Sequence, residues 1–224
     1  MKNIYSVKAP IKPFNKTLEI EGDKSLSIRW ALLASQAIGK STAINILRSE
    51  DVISTLECLK RLGVKIKLYK KKCEIEGMGI DGYKYKKKII LNAGNSGTLG
   101  RLIMGLLIHT KNKIKIIGDK SLSKRDFSRI IRPLKKFGAK FSSNNGRLPI
   151  IIKGTKNPKS ISYNENRGSA QCKTAVMLAS LNTDGKTTIK AKKSRDHTEL
   201  LFKYLNVPII ITKKKNYDLI KLNR

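Results

Sequence analysis

GDKSLS at residues 22–27 returns unchanged at residues 118–123, and this internal repeat indicates how the chain folds. A second repeat is an amphipathic segment that ends in Leu-Gly or Phe-Gly, written CLKRLGVKIK at 58–67 and PLKKFGAKF at 133–141. A weaker third copy, LFKYLNVPII, occupies 201–210. The three copies of this second repeat start 75 and 68 residues apart, and a period near 70 is too long for a solenoid and favours three copies of one α/β unit.

Each copy shows the same order of predicted elements. It begins with an almost entirely apolar helix, typical of burial on all sides, at 26–38, 98–109 and 170–181. A short β-branched strand follows, at 41–47, 113–118 and 186–191. Next comes a helix with one apolar stripe, at 51–62, 125–137 and 196–205. Strand pairs such as 64–69 with 72–76, and 207–212 with 217–222, follow that helix. The predicted fold class is therefore α/β, or α+β by some schemes.

The third copy is predicted to be incomplete. KKKIIL at 86–91 and SISY at 160–163 have the pattern of strands that close one copy and lead into the next buried helix. No such strand follows YDLIKL before Arg224. We therefore expect the chain to be truncated in its last unit, or to pair with a second half supplied as another chain.

The chain is strongly basic, with 48 Lys and Arg residues against 16 Asp and Glu and a net charge of +32. Lysine outnumbers arginine and is spread along the chain, whereas bidentate reading of bases and phosphates is an arginine property. We interpret the charge as compositional drift; a nucleic-acid surface and the attraction of acidic substrates are the alternatives. There is no long apolar run, no apolar leader and no close cysteine pair, which together favour a cytoplasmic protein without a membrane partner.

The first candidate site lies where residues 22–25 enter the first buried helix. Ser25 can cap that helix, free backbone N–H groups there can face an anion, and Lys24 adds a full positive charge. Arg29 lies one helical turn beyond Ser25, where it can bind a carboxylate through two N–H groups. The alternative is a capped helix whose charges are only hydrated.

The second candidate site is the turn NAGNSGT at 92–98, followed by Arg101 in the second buried helix. Gly97 has no Cβ, so a ligand can approach its backbone closely. A buried arginine without a partner is costly, so Arg101 indicates a bound anion or an internal partner. A plain glycine turn is the alternative.

The third candidate site opens the third buried helix, where Ser169 and Gln171 offer neutral donors; a plain N-cap is the alternative. Arg125 and Arg195 precede two of the half-exposed helices. We expect the three helix starts and these cations to converge around one doubly anionic substrate. The sequence has no nucleotide-binding or metal-binding motif, so we expect no cofactor and no metal.

Five motifs taken in order, GDKSLSIR, NSGTLGR, GDKSLSKRD, GSAQCKTA and SRDHTE, resemble the 5-enolpyruvylshikimate-3-phosphate (EPSP) synthase family over about residues 14–224. The last two are closer to its glyphosate-tolerant class. The resemblance implies two similar domains, each built from three βαββαβ units around buried parallel helices as an inside-out α/β barrel. Residues 1–13 would belong to the second domain. Residues 14–224 would form the substrate-binding domain, truncated in its third unit.

The resemblance also implies an activity: transfer of the enolpyruvyl group of phosphoenolpyruvate to the 5-hydroxyl of shikimate 3-phosphate, with release of phosphate. Lys24 would be catalytic and would touch both substrates. The implied shikimate 3-phosphate ligands are Lys24, Ser25, Arg29, Ser169, Ala170, Gln171 and Arg195. The implied phosphoenolpyruvate ligands are Lys24, Gly97, Arg101, Arg125 and Gln171. The full two-domain enzyme would be monomeric, without nucleic-acid partners.

Some features depart from the family pattern. Ile28 and Trp30 replace polar and small residues in the first motif, which can alter packing against the substrate ring. The family's catalytic carboxylates, a second lysine and further arginines lie in the other domain, so we expect this chain alone to be inactive or to bind shikimate 3-phosphate weakly. The alternatives are a UDP-N-acetylglucosamine enolpyruvyl transferase, which would carry Lys-Asn at Lys24-Ser25, and a basic anion- or nucleic-acid-binding domain of the same fold.

Overall fold

The computed structural model describes residues 6, 9–10 and 12–223, which fall into three successive segments. The first comprises α1 (Lys24–Ala34), β1 (Ile38–Ile44), α2 (Glu50–Arg61), β2 (Lys65–Leu68) and β3 (Lys72–Met78). The second comprises β4 (Ile89–Asn92), α3 (Gly97–Leu106), β5 (Ile114–Ile117), α4 (Lys120–Ser123), α5 (Ser128–Lys136), β6 (Lys140–Asn144) and β7 (Arg147–Lys153). The third comprises β8 (Ser162–Glu165), α6 (Ala170–Ser180), β9 (Lys186–Lys192), α7 (His197–Tyr204), β10 (Ile209–Lys213) and β11 (Tyr217–Asn223). The α/β class is confirmed, while the assignment of residues 1–13 to another domain lies largely outside the described residues.

Each segment forms its own sheet, and the second and third sheets have the same topology. Their strand orders are β4-β5-β7-β6 and β8-β9-β11-β10. In each, the first two strands are parallel and are connected through a buried helix, α3 or α6. The last two strands of each form an antiparallel hairpin. A parallel pair needs such a crossover, because the chain has to return to the same end of the sheet.

The strands that connect the copies belong to different sheets from those expected. β4 and β8 were predicted to close the preceding copy, but each begins the sheet of the next one. The third sheet consequently has the same four strands as the second, so the expectation that it lacks a strand is wrong. The first sheet, β1-β3-β2, has only three strands among the described residues. In that part of the chain, its strand β1 has a neighbour on one side only, β3. A β-helix-β crossover places the first strand next to the strand after the helix, and no local pattern in the sequence reports that pairing.

The helices α1, α3 and α6 form the centre of the molecule, as their apolar sequences predicted. Leu32, Met104 and Met177 are among their fully buried side chains. By contrast α5 buries one face only, with Leu134 buried and Arg132 exposed. The sheets and the half-exposed helices α2, α5 and α7 therefore enclose three central helices.

A glycine allows α3 and α6 to meet backbone to backbone. A Cβ on Gly105 would lie 2.3 Å from the carbonyl oxygen of Ala175 in α6, closer than any side chain can approach. The same helix has a second glycine, Gly100, whose Cβ would meet the ring of Phe127 at 3.3 Å. The distance between α3 and α6 is therefore set at Gly105.

Within the described part of the chain, no helix is both long and apolar enough to cross a membrane.

The cysteines Cys58, Cys73 and Cys172 are buried and unbridged. Burial raises the pKa of the Cys58 thiol to about 12, so this thiol stays protonated at neutral pH. The cysteines are thus core residues.

Gly105→Ala is expected to lower the free energy of unfolding by about 1–3 kcal/mol, because the added methyl group forces α3 away from α6. Gly100→Ala is the matched control: it gives the same helix the same gain in helix propensity, and its methyl group meets a side chain that can shift. Urea unfolding followed by circular dichroism measures both. Equal stability of the two variants would contradict the close contact of α3 with α6.

Candidate active site

Asp23, rather than Ser25, caps α1. The Asp23 carboxylate accepts a hydrogen bond from the backbone N–H of Leu26 at 2.7 Å. Ser25 lies inside the first turn, so the prediction that it caps the helix is wrong. Both residue types are good caps, but a carboxylate at this position also interacts favourably with the positive end of the helix dipole.

The second GDKSLS copy uses the same cap for a much shorter helix. Asp119 accepts a hydrogen bond from the backbone N–H of Leu122 at 2.6 Å, but α4 has only four residues. Apolar residues continue after the first copy, whereas KRD at 124–126 follows the second. The same local sequence therefore begins a long buried helix in the first copy and a single turn of helix in the second. The lengths differ because helix length depends mainly on the apolar face that can be buried.

Lys24 is paired with a carboxylate from the next helix. Its Nζ lies 3.2 Å from Asp51 Oδ2, near the start of α2. Lys24 is half exposed, so the pair contributes little to stability. Its main consequence is that the Lys24 ammonium is held at one position beside the starts of α1 and α2.

Lys24 and Asp51 line a cleft of about 340 Å³ where the starts of five helices meet. The lining residues are Lys24, Asp51, Asn95, Gly97, Thr98, Asp119, Ser121, Arg125 and Gln171. Of the predicted site residues, the structure brings together Lys24, Gly97, Arg125 and Gln171 in this cleft. The N-terminus of a helix has free N–H groups and a partial positive charge, so this arrangement can receive an anion.

Gly97 lies against two guanidinium groups. A Cβ at this position would be 2.6 Å from Arg101 Nη1 and 3.0 Å from Arg125 Nη1. Arg101 donates to the Gly97 carbonyl at 3.0 Å, and its guanidinium lies over the Phe127 ring, 4.8 Å from the centroid. Burial lowers the pKa of Arg101, and the positive charge of Arg125 lowers it further. Two neighbouring cations that repel each other form a position that an anion would stabilise.

The start of α6 reaches the cleft through Gln171. Gln171 Nε2 donates to Thr98 Oγ1 at 3.1 Å, which connects α6 to α3. Ser169 is the N-cap of α6, and its hydroxyl accepts from the Cys172 N–H at 3.3 Å. The Ser169 N–H donates to Glu165 at 2.9 Å. Ser169 and the buried Ala170 lie outside the lining of the cleft, so the structure does not bring them to it directly.

Ser25, Arg29 and Arg195 form a second group. Arg29 is 5% exposed, and its Nη1 donates to the Ser25 carbonyl at 3.1 Å. Burial, and to a smaller extent the charge of the exposed Arg195, lower the pKa of Arg29 to about 10, although Glu199 and Asp23 oppose that shift. Arg29 is therefore charged at neutral pH. This group is connected to the cleft through α1, which begins at Lys24.

The two departures from the family pattern point away from the cleft. Ile28 is fully buried in the core. Trp30 lines a separate, mainly apolar groove together with Leu201. Neither side chain is among the lining residues of the cleft.

Several residues of the site were not assigned from the sequence. Asp119 and Ser121 belong to the second GDKSLS copy, so the repeat itself was an available signal for them. Asp51 begins the predicted helix 51–62, but its pairing with Lys24 could not be inferred. Thr174 and Thr198 lie within the motifs GSAQCKTA and SRDHTE, but their contact with Arg29 could not be inferred, because it depends on how α6 packs against α7.

The family model for EPSP synthase (3-phosphoshikimate 1-carboxyvinyltransferase) matches residues 8–221 of this chain. The chain belongs to the EPSP synthase family. A 3-phosphoshikimate 1-carboxyvinyltransferase of Ruthia magnifica subsp. Calyptogena magnifica is 42% identical over 212 residues, which are 93% of this chain and 48% of the relative. The one from Endomicrobium trichonymphae is 40% identical over 194 residues, which are 86% of this chain and 45% of the relative.

A solved structure of EPSP synthase from Acinetobacter baumannii is similar as well. Its TM-score is 0.83 at 33% identity, over 92% of this chain and 46% of that one. The chain therefore spans about half the length of the EPSP synthases that it matches. The resemblance carried by the five motifs is confirmed for the family, whereas the roles of individual residues stay predictions.

Gly97→Ala is expected to weaken the binding of inorganic phosphate to the cleft by about tenfold or more. The new Cβ would displace the guanidinium groups of Arg101 and Arg125, and a hydrogen bond to a charged group contributes about 1.5–3 kcal/mol. An NMR titration of both proteins measures the affinities, and an unchanged thermal unfolding midpoint controls for folding. Equal phosphate affinities would show that the two arginines do not hold the anion together.

Proposed function

We propose that this chain is the half of an EPSP synthase that binds shikimate 3-phosphate and part of phosphoenolpyruvate. The complete enzyme would transfer the enolpyruvyl group of phosphoenolpyruvate to the 5-hydroxyl of shikimate 3-phosphate and release phosphate. One observation carries the proposal: Lys24, Gly97, Arg125 and Gln171 come from four separate parts of the chain and line a single cleft. Membership of the EPSP synthase family supports the same conclusion.

The chemistry of this reaction suits the arrangement of charges. In the family's reaction the 5-hydroxyl loses its proton and attacks C2 of phosphoenolpyruvate while C3 is protonated, and the tetrahedral ketal then loses phosphate together with a proton from C3. Arg101 and Arg125 beside Gly97 would bind the phosphate group through charge-assisted hydrogen bonds. Lys24 would assist proton transfer, and fixed donors around the leaving group would stabilise its charge. Ser25, Arg29, Arg195, and Ser169 with Ala170 at the start of α6, would bind shikimate 3-phosphate.

We expect residues 1–224 alone to be inactive. The carboxylates among the lining residues of the cleft are Asp51 and Asp119, and both are engaged, with Lys24 and with the Leu122 N–H. Proton transfer from a hydroxyl needs a base within hydrogen-bond reach. The resemblance assigns further carboxylates, a lysine and arginines to the other half of the enzyme. Release of phosphate from phosphoenolpyruvate by the purified chain, given both substrates and no partner, would contradict this expectation.

The finer architecture and the partners belong to the same proposal. Three repeated units, written βαββαβ, would surround α1, α3 and α6 as an inside-out α/β barrel over residues 14–224. A strand supplied by the second half and parallel to β1 would give the first sheet the strand order of the other two. The complete enzyme would be a cytoplasmic monomer of two domains, with small-molecule substrates and no nucleic-acid or membrane partner.

Two other functions fit less well. A UDP-N-acetylglucosamine enolpyruvyl transferase would carry Lys-Asn where this chain has Lys24-Ser25, and the family model that matches is that of EPSP synthase. A nucleic-acid-binding domain would need its positive charge gathered on one surface. The lining of the cleft instead opposes Lys24 and Arg125 with two carboxylates, which suits a small ligand better than a polyanion.

Shikimate 3-phosphate is expected to bind the 224-residue chain, and Lys24→Met is expected to weaken this binding by about tenfold through loss of a charged contact. Lys120→Met is the matched control. Lys120 occupies the same position in the second GDKSLS copy and lies outside the lining of the cleft. Isothermal titration calorimetry at two salt concentrations measures both affinities.

An oligonucleotide of unrelated sequence, titrated under the same conditions, separates the remaining alternative. A nucleic-acid-binding domain would prefer the oligonucleotide and lose affinity for it steeply as salt rises. Such a preference, or an equal effect of Lys24→Met and Lys120→Met on shikimate 3-phosphate, would contradict the proposed function.

A further inference from the structure

Arg29 is held by side chains from two helices other than its own. Its Nε donates to Thr198 Oγ1 at 2.8 Å, and its Nη2 donates to Thr174 Oγ1 at 3.4 Å. Its Nη1 donates to the Ser25 carbonyl at 3.1 Å. A guanidinium has five N–H donors, so these three bonds leave one on each Nη atom. Arg29 is therefore fixed in orientation and still offers the pair of donors that a carboxylate can accept from.

Thr174 of α6 and Thr198 of α7 also bond to each other. Their Oγ1 atoms are 2.7 Å apart, and either can be the donor. Both residues are 1% exposed, so water does not compete for their hydroxyl groups. Each hydroxyl thus limits the rotation of the other, and together they present two acceptors to one edge of the Arg29 guanidinium.

A buried ion pair lies next to the two threonines. Lys173 directly precedes Thr174, and Glu199 directly follows Thr198. The Lys173 ammonium pairs with the Glu199 carboxylate, and the two side chains are 1% and 4% exposed. Separating a buried pair leaves an uncompensated charge in the core, which is strongly unfavourable. The pair therefore keeps α6 and α7 at the distance at which the threonine hydroxyls meet.

Glu199 also balances the charge around Arg29. Arg195 destabilises the charged form of Arg29, whereas Glu199 stabilises it. The carboxylate therefore offsets part of the effect of the Arg195 charge on Arg29.

We propose that Thr174 and Thr198, held in contact by the Lys173–Glu199 pair, are positioning residues that orient Arg29 toward the carboxylate of the substrate. The identity of that substrate rests on the proposed function. An arginine that is ordered in advance loses little conformational freedom when the ligand binds. The two hydroxyls thus raise the affinity for a carboxylate through Arg29, without touching the substrate.

The orientation of Arg29 can be tested in the free chain. Thr198→Val removes the hydroxyl with little change of shape, and Thr183→Val is the matched control. Thr183 is a buried threonine whose hydroxyl bonds to the Ala179 carbonyl at the other end of α6. By NMR, the Arg29 Nε–H signal, assigned from its loss in Arg29→Lys, is expected to exchange with water roughly tenfold faster in Thr198→Val. The Thr183→Val variant is expected to match the unmodified chain.

Binding provides the second measurement, by calorimetry. Shikimate 3-phosphate is expected to bind Thr198→Val about tenfold more weakly than the unmodified chain, and Thr198→Ser, which keeps the hydroxyl, is expected to restore the affinity. The methyl ester of shikimate 3-phosphate has no carboxylate charge, so its affinity is expected to be nearly the same for both proteins. Thr174→Val repeats the test from α6 if Thr198→Val does not fold.

An equal loss of affinity for the acid and the ester would overturn the proposal, because the substitution would then disturb the whole site. An Arg29 Nε–H that stays protected in Thr198→Val would overturn it as well. The unmodified chain could bind no shikimate 3-phosphate while the exchange of the Arg29 Nε–H with water still depended on Thr198 as expected. In that case the proposed function would fail. The positioning of Arg29 by the two hydroxyls would then stand.

Discussion

α3 contacts α6 through the backbone at Gly105 and through the bond from Gln171 to Thr98 near the helix starts. Because the two helices are held together at both places, their N-terminal N–H groups open onto the same space, which Lys24 of α1 also lines. One helix start carries only a partial positive charge, whereas several that face one cleft act on the same ligand together. The candidate site therefore depends on this helix contact more than on any single charged residue.

The electrostatics of the site is local, although the whole chain is strongly basic. Most of the +32 net charge comes from lysines spread along the chain, and exposed charges are screened over about 8 Å at physiological salt. Within the cleft, Lys24 and Arg125 are opposed by Asp51 and Asp119. The groups that would recognise an anion are therefore the helix N-termini and the guanidinium groups that neighbouring side chains hold in place. Arg29, which two threonines hold, is an example. A polyanion would find no continuous basic surface in this cleft.

Much of the fold could be predicted from the sequence because the unit is repeated. The apolar runs at 26–38, 98–109 and 170–181 correspond to α1, α3 and α6, since a segment that is apolar all round has to be buried. The sheet joined by β4 or β8 could not be predicted, because strand pairing is a non-local property. Gln171 could be predicted to face a cleft because it lies at a helix start, where the backbone N–H groups are free. Thr198 was missed because its contact with Arg29 exists only after α7 packs against α1 and α6.

An NMR titration of the isotope-labelled chain with shikimate 3-phosphate tests most directly whether the helix starts form one site. We expect the backbone amide signals of Ser25, Gly97 and Gln171 to shift together and to saturate along one curve with a single Kd. Signals that respond with different midpoints, or shifts confined to exposed lysine-rich stretches such as 86–88, would contradict the account.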